Sequence, residues 1–477
     1  MRRTLPRLAK VVCATADFAK NLKELKELPQ NRHVGNKNFI TLCASIPGRP
    51  VPEIVGNILK ETYPSNNDDY ALSYRNRSME GYEHLQNAVK RHYAEDGFDI
   101  DGCKPLFTQS IHQVLYFILD RVLNSEGGDK KGDKVLMTVP CFGLFFDSIY
   151  RRGFNIDLTG LDKSTDFKVT PKILQEMLEK NSDAKLWIFV NPDNPTGATY
   201  TKKELESLAR VVVLHNTKLR SAGHPEMIVF SDEASNSIGP ISFENGISPH
   251  ASFGACSGVN NFTITTRSLS KTLAPSLGIC FALGGKDLVN QILNDKKDLL
   301  AKDFGPSFPT QHLTAELLTT HSLYFKKFIA ESNELYSKNL LRVNEFVDRL
   351  NSKLGDGFCE MVAVPKGGLQ CSIKIPGLIG LNAPGDSNSL SRDIDFSELL
   401  IKDKEVSILP GSSCGFHQES MIFRITNSKN PPERLVEGLS RLEDLCLKLG
   451  EKKRSVIVPK SGSQLSLLRS KDASYLP

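Results

Sequence analysis

Several features are missing from this 477-residue chain. Its ten cysteines form no CxxC pair and no closely spaced ligand set, which argues against structural zinc and for reduced thiols in a cytosol-like compartment. No apolar run approaches membrane-spanning length, so no membrane association is expected. There is no internal repeat and no extended low-complexity tract. Excess charge of one sign is also lacking: the net charge of +5 is spread over short clusters such as Lys130-Lys131 and Lys452-Lys453-Arg454. These read as solvated loop or helix-end charges, not as a nucleic-acid surface. Acid is absent before Asp17, whereas Arg2, Arg3, Arg7 and Lys10 are present. That opening reads as a basic N-terminal arm or helix, with an organelle transit peptide as the alternative. A secretory signal is not supported, because no long apolar core follows the arginines.

What is present suffices for large cores. A chain of this length with 40% hydrophobic residues is expected to form one large domain and a smaller one. From Thr108 to Leu283 helical and strand patterns alternate. Ile111 to Leu123 reads as helix, and Val135 to Val139 as a strand ending at Pro140. Thr170-Pro171 is a helix start with proline at the first helical position, and Leu186 to Val190 is a strand. Thr201 to Glu204 is a capping box; Met227 to Phe230 and Phe262 to Thr266 are further strands. Short, nearly unbroken apolar strands separated by helices predict an α/β fold with a mostly parallel sheet covered on both faces.

Ligands of such sheets bind outside the carboxyl ends of the strands. The polar residues expected there are Pro140-Cys141-Phe142, Asn191 to Gly197, Ser231-Asp232-Glu233 and Ser268 to Lys271. The last group is the most telling. A lysine among serines at the end of a buried β-branched run suits an amine that loses its proton and forms a Schiff base, although most lysines are solvated surface charges.

Four motifs occur in a fixed order: Asn191-Pro192-Asp193-Asn194-Pro195-Thr196-Gly197, Asp232-Glu233-Ala234, Ser268-Leu269-Ser270-Lys271, and Phe423-Arg424 after Pro410-Gly411-Ser412. The ordered set resembles the class I/II aminotransferases, pyridoxal-phosphate enzymes of fold type I. The resemblance covers roughly residues 39–449.

It implies a homodimer whose protomer has a small domain from both chain ends (39–75 and 316–450) and a large cofactor-binding domain (76–315), while composition marks a basic arm (1–38) and a flexible basic tail (451–477). It also implies residue roles. Lys271 would carry pyridoxal 5'-phosphate as a Schiff base and then act as general base and acid. Asp232 would pair with the pyridine nitrogen, where the plainer reading is a helix cap. Asn194 would donate to the ring's 3-oxygen, where the plainer reading is a turn residue. Phe142 would stack on the ring, or simply fill core. Arg424 would clamp the α-carboxylate of an amino-acid substrate, or else form an internal salt bridge.

The phosphate cup departs from the family pattern. Gly278 stands where the family has an arginine, Ser110 where a glycine opens the helix, and Ser235 where a tyrosine follows Asp-Glu-Ala. Ser268, Ser270 and the amides of Ser110, Ile111 and His112 are the remaining candidates to hold a dianion. His112 or a neighbouring subunit is the candidate source of positive charge, with Tyr74 as a cross-subunit contact. Beside transamination, two readings stay open: a lyase or decarboxylase on the same fold, and a non-catalytic relative that binds the phosphate weakly.

Overall fold

The computed structural model describes residues 15–25, 36–62, 78–123, 133–239, 251–293, 305–382 and 389–457, with side chains through 450. Thirteen strands are found among them. They are β1 (Ile40–Thr41), β2 (Cys103–Thr108), β3 (Lys134–Val139), β4 (Asn155–Gly160), β5 (Leu186–Val190), β6 (Ile228–Asp232), β7 (Thr263–Ser268), β8 (Cys280–Gly285), β9 (Glu360–Met361), β10 (Gln370–Lys374), β11 (Val406–Ser407), β12 (Leu409–Pro410) and β13 (Ile422–Thr426).

Seven of them form the central sheet, in the order β2-β8-β7-β6-β5-β3-β4. The pairs from β7 through β4 are parallel, while β8 runs antiparallel to both β2 and β7. Helices cover both faces. One core collects Val135, Met137, Ile188, Phe230 and Ile264. On the opposite face, Leu136, Trp187, Phe189 and Val229 pack with the helix Lys202–Ser221, and Phe281 and Leu283 with the helix Glu83–Glu95. Two-sided burial explains why these strands read as continuous apolar runs rather than alternating ones.

Local signals set several helix starts. Thr170 accepts from the Ile173 amide to open Pro171–Lys180. Thr201 and Glu204 form both bonds of a capping box at the start of Lys202–Ser221. The helical stretch expected from Ile111 is α-helical over Ile111–Phe117 and changes to a π-helix over Ile118–Leu123.

A second sheet, β12-β13-β10-β9, and the short parallel pair β1-β11 surround another core. Ile40 and Leu42 lie there beside Phe346, Phe396, Phe423 and Leu442. The long helices Ser322–Leu354 and Pro432–Ile457 enclose it. The last helix ends at Ile457, so it includes the first residues of the stretch 451–477 that the sequence pattern assigns to a tail. Near the other end, the helix Thr15–Glu24 stacks Phe18 on Phe146 with ring centroids 4.4 Å apart.

Candidate active site

The strand ends put chemistry on one rim. Register aligns Val190 with Asp232, and Asp232 with Thr266, so the segments after β5, β6 and β7 leave the sheet side by side. The antiparallel β8 starts on the same edge, with Cys280 opposite both Thr108 and Ser268. Residues 191–197, Asp232, Ser268 to Lys271 and the loop after β2 thus face one cleft.

Lys271 reaches across that cleft. Its Nζ donates to the Ser45 carbonyl at 2.7 Å, in the segment just after β1. Burial is the main reason its pKa falls to about 8; the positive charge of Arg424 lowers it further, and Asp232 opposes. Asp232 is raised to about 6, chiefly by burial, while the Ala234 amide (2.9 Å) and the charge of Lys271 pull it down. These two groups feel each other directly and share the cleft.

Arg424 lies in β13, between Ser372 of β10 and Leu409 of β12. It is 5% exposed. Its Nη1 donates to Asn194 Oδ1 and its Nη2 to the Cys43 carbonyl, both at 2.8 Å. Among the described residues its side-chain partners are therefore neutral oxygens, not the carboxylate of an internal salt bridge. The Nε–H has no partner among the described residues. With its amide oxygen on the guanidinium, Asn194 has its NH2 group left to donate elsewhere. The 191–197 turn is fixed by close packing: Gly197 has φ +73°, and its carbonyl accepts from the Lys366 and Gly367 amides at 2.8 and 3.0 Å.

The other expected residues fall around this centre. Phe142 packs edge-on against His112 at 5.5 Å and is partly buried. Its segment is held by the Cys141 amide donating to Cys414 at 2.8 Å. Ser110 caps the helix Ile111–Phe117 by accepting from the Gln113 amide. The first-turn amides of such a helix point outward, unpaired within the helix. His112 Nε2 is buried without a partner among the described residues. Burial and the charge of Lys271 lower its pKa, so its ring is neutral near pH 7 and does not supply the missing charge. Ser268 Oγ is 2.8 Å from both Ser270 Oγ and the Ile279 carbonyl. Gly278 sits in the left-handed region at φ +56°, and a Cβ there would meet only Gln109 O at 4.0 Å. The position that lacks the family's arginine thus borders the loop before Ile111. Tyr74 lies outside the described residues.

Sequence reasoning missed the support behind the rim. Arg267 is buried and pairs with Glu233 (Nη2 to Oε2, 3.1 Å) and with Asp96. His92 Nε2 lies 3.1 Å from its Nη1, and its plane covers the Tyr93 ring at 4.6 Å. The cluster ties the residues flanking Asp232 and Ser268 to the helix Glu83–Glu95. Charged residues inside the apolar strand runs were the available signal. Asp393, also missed, accepts from the Ser412 amide and hydroxyl at 2.7 and 2.9 Å, fixing the loop that meets Cys141. Ser45 was missed as well.

Comparison with known proteins supplies the family and the fold. A family model for aminotransferase class I and II matches residues 78–442. The aspartate/prephenate aminotransferase of Cereibacter sphaeroides is 23% identical over 413 residues, 86% of this chain and 92% of the relative. The aspartate aminotransferase of Rhizobium meliloti (strain 1021) is 23% identical over 418 residues, 87% and 90% of the two chains. The structure of Thermus thermophilus aspartate aminotransferase with maleate superposes with a TM-score of 0.68 at 20% identity, over 93% of this chain and 100% of that one. That likeness is one of fold, and the fold is type I. With the family model spanning most of its length, the chain belongs to the class I and II aminotransferases, enzymes that transfer amino groups.

Proposed function

We propose that this enzyme moves the amino group of an α-amino acid to an α-keto acid with pyridoxal 5'-phosphate bound at Lys271. The carrying observation is that Lys271, Asp232, Asn194 and Arg424, from separate segments of the chain, converge on one cleft. Three buried polar atoms around Lys271 lack partners among the described residues: Ser45 Oγ, His112 Nε2 and Arg424 Nε. Such atoms are costly unless a polar ligand completes them, so the residues fit a polar, anionic guest.

The cofactor, when bound, supplies an electron-withdrawing ring that stabilises negative charge at the substrate α-carbon. The protein's part follows from its own groups. Lys271, with a pKa near 8, has a neutral fraction at physiological pH that captures a carbonyl and later moves a proton. Asp232 is a buried acid that a cationic ring nitrogen would hold ionised. Asn194 has an N–H for the ring's oxygen, and Phe142 offers an aromatic face. Ser110, Ile111, His112, Ser268 and Ser270 are assigned to the phosphate. Tyr74 is assigned to a cross-subunit contact in a homodimer. Arg424 offers Nε–H and a remaining Nη proton to an α-carboxylate.

Aspartate is the substrate to try first, because the relatives carry that name. Among the described residues no helix is long and apolar enough to cross a membrane, and nine buried cysteines are free. A reducing compartment, cytoplasm or organelle matrix, completes the proposal.

The test is spectroscopic. The purified protein is titrated with pyridoxal phosphate, then given single amino acids while keto acid, ammonia and carbon dioxide are measured. A visible band lost in Lys271→Ala, with keto acid formed alone, is the expected result. Ammonia or carbon dioxide release would overturn transamination, and no band at saturating cofactor would overturn the cofactor assignment.

A further inference from the structure

We infer that a cavity outside the lysine cleft, between the edge of the central sheet and the second sheet, binds a small monocarboxylate with an apolar body. The cavity measures about 290 Å³. Three segments wall it: the turn after β4 (163–168), Ala198 and Thr199 just past the 191–197 turn, and the link between β9 and β10 (362–366). None of the residues assigned above to cofactor or substrate lines it. Small-molecule sites start at roughly this size and combine apolar walls with a few polar groups. The two sides meet where the Gly197 carbonyl accepts from the Lys366 and Gly367 amides, so a guest would rest against the joint that fixes the turn carrying Asn194.

The apolar wall is built at a cost and left open. Asp166 and Phe167 are consecutive non-glycine residues in the left-handed region, with φ of 52° and 56°. Residues with a Cβ seldom adopt that conformation, and such strain collects at ligand clamps. Here it seats the Phe167 ring in the wall, edge-on to Phe416 at 6.2 Å. At the lip, Val364 is 75% exposed, an apolar surface that a guest would cover. Charge then selects the guest. Lys163, Lys168 and Lys366 line the cavity with a single acid, Asp166. Lys168 is engaged by Glu204, its Nζ 2.5 Å from Oε1. Lys163 and Lys366 form no ion pair among the described residues. Set against Asp166, they leave one positive charge uncompensated, which one carboxylate neutralises and a dianion exceeds. The apolar body then covers Phe167, Val362 and Val364.

The probe is 4-(trifluoromethyl)benzoate, titrated into the purified enzyme and followed by fluorine NMR. One site per chain is expected with a dissociation constant of about 1 mM or tighter, which a ligand of this size reaches at ordinary efficiency. Val364→Trp fills the mouth of the cavity, and the pair Lys163→Glu/Lys366→Glu reverses its charge. Both changes fall on exposed side chains, so the fold is kept. Each should remove that one site per chain while leaving any carboxylate binding at Arg424 in place. The neutral 4-(trifluoromethyl)benzamide should not fill the site. Absence of such a site in the wild type overturns the inference. A site that survives Val364→Trp or the charge reversal does so too, because it lies elsewhere. Equal binding of benzamide and benzoate overturns the choice of a carboxylate.

Discussion

Burial, with smaller effects from neighbouring charges, sets the protonation of three side chains in this cleft. Lys271 is the clearest. Burial lowers its pKa to about 8, and Arg424 adds to that shift. Capture of a carbonyl needs the neutral amine, so the rate at which cofactor-free protein takes up pyridoxal phosphate should rise with pH and level off with a midpoint near 8. Removing the positive neighbour favours the ammonium, so Arg424→Gln should move that midpoint upward; Asp232→Asn should move it downward. Stopped-flow absorbance across pH reads all three, and a wild-type midpoint near an ordinary lysine's value would contradict the structure. The other two side chains are His112, held neutral, and Asp232, raised to about 6. Lys271 and Asp232 were legible as candidates in the sequence because each sits in an ordered motif. Their proton affinities were not, since these depend on burial and on neighbours from distant parts of the chain.

Elements were legible where the local code is strong. The capping box at Thr201 and the apolar runs of β3, β5 and β7 lie where the residue pattern puts them. The edge strand β4 was missed because only Ile156 in it is buried, so no apolar run marks it. β2 was missed because Lys104 and Pro105 interrupt its pattern. The 191–197 turn joins local and tertiary control. Gly197 has φ +73°, and a Cβ would lie 2.4 Å from Pro365 Cβ and 2.9 Å from the Gly367 carbonyl oxygen. Gly197→Ala should therefore cost about 2 kcal/mol or more, from backbone strain and overpacking together. The displaced turn carries Asn194 away from Arg424. Thermal unfolding with and without pyridoxal phosphate checks this: the midpoint should drop, and the stabilisation by cofactor should shrink.

At the scale of the whole molecule, the site depends on a charge cluster beneath it. Arg267 joins β7 to Glu233 after β6 and to Asp96 beyond the helix Glu83–Glu95. Arg267→Met would leave the buried Glu233 and the partly buried Asp96 carboxylate without their cation, a loss of about 3–5 kcal/mol. The loss should depend on pH. Glu233 is already raised to about 7 in the folded protein, mainly by burial, with Arg267 opposing. A folded pKa above the unfolded one means its favourable contribution is complete below the unfolded value and disappears as pH rises through the folded value. Without Arg267 the folded pKa moves higher still. Urea unfolding should therefore show a larger defect at pH 8 than at pH 5, and a pH-independent defect would show that the pair does not control the stability of the β6–β7 rim.

The sequence by itself determined the strand cores, the helix caps and which groups are candidates for the chemistry, because these follow from apolar runs, local hydrogen bonds and side-chain chemistry. The tertiary structure alone decided the antiparallel direction of β8, the contact of Ser45 with Lys271, and the Arg267 cluster. Strand direction and long-range contacts are set by pairing and burial between segments far apart in the chain, as in the Arg424–Cys43 bond across 381 positions, and no local pattern encodes such a meeting.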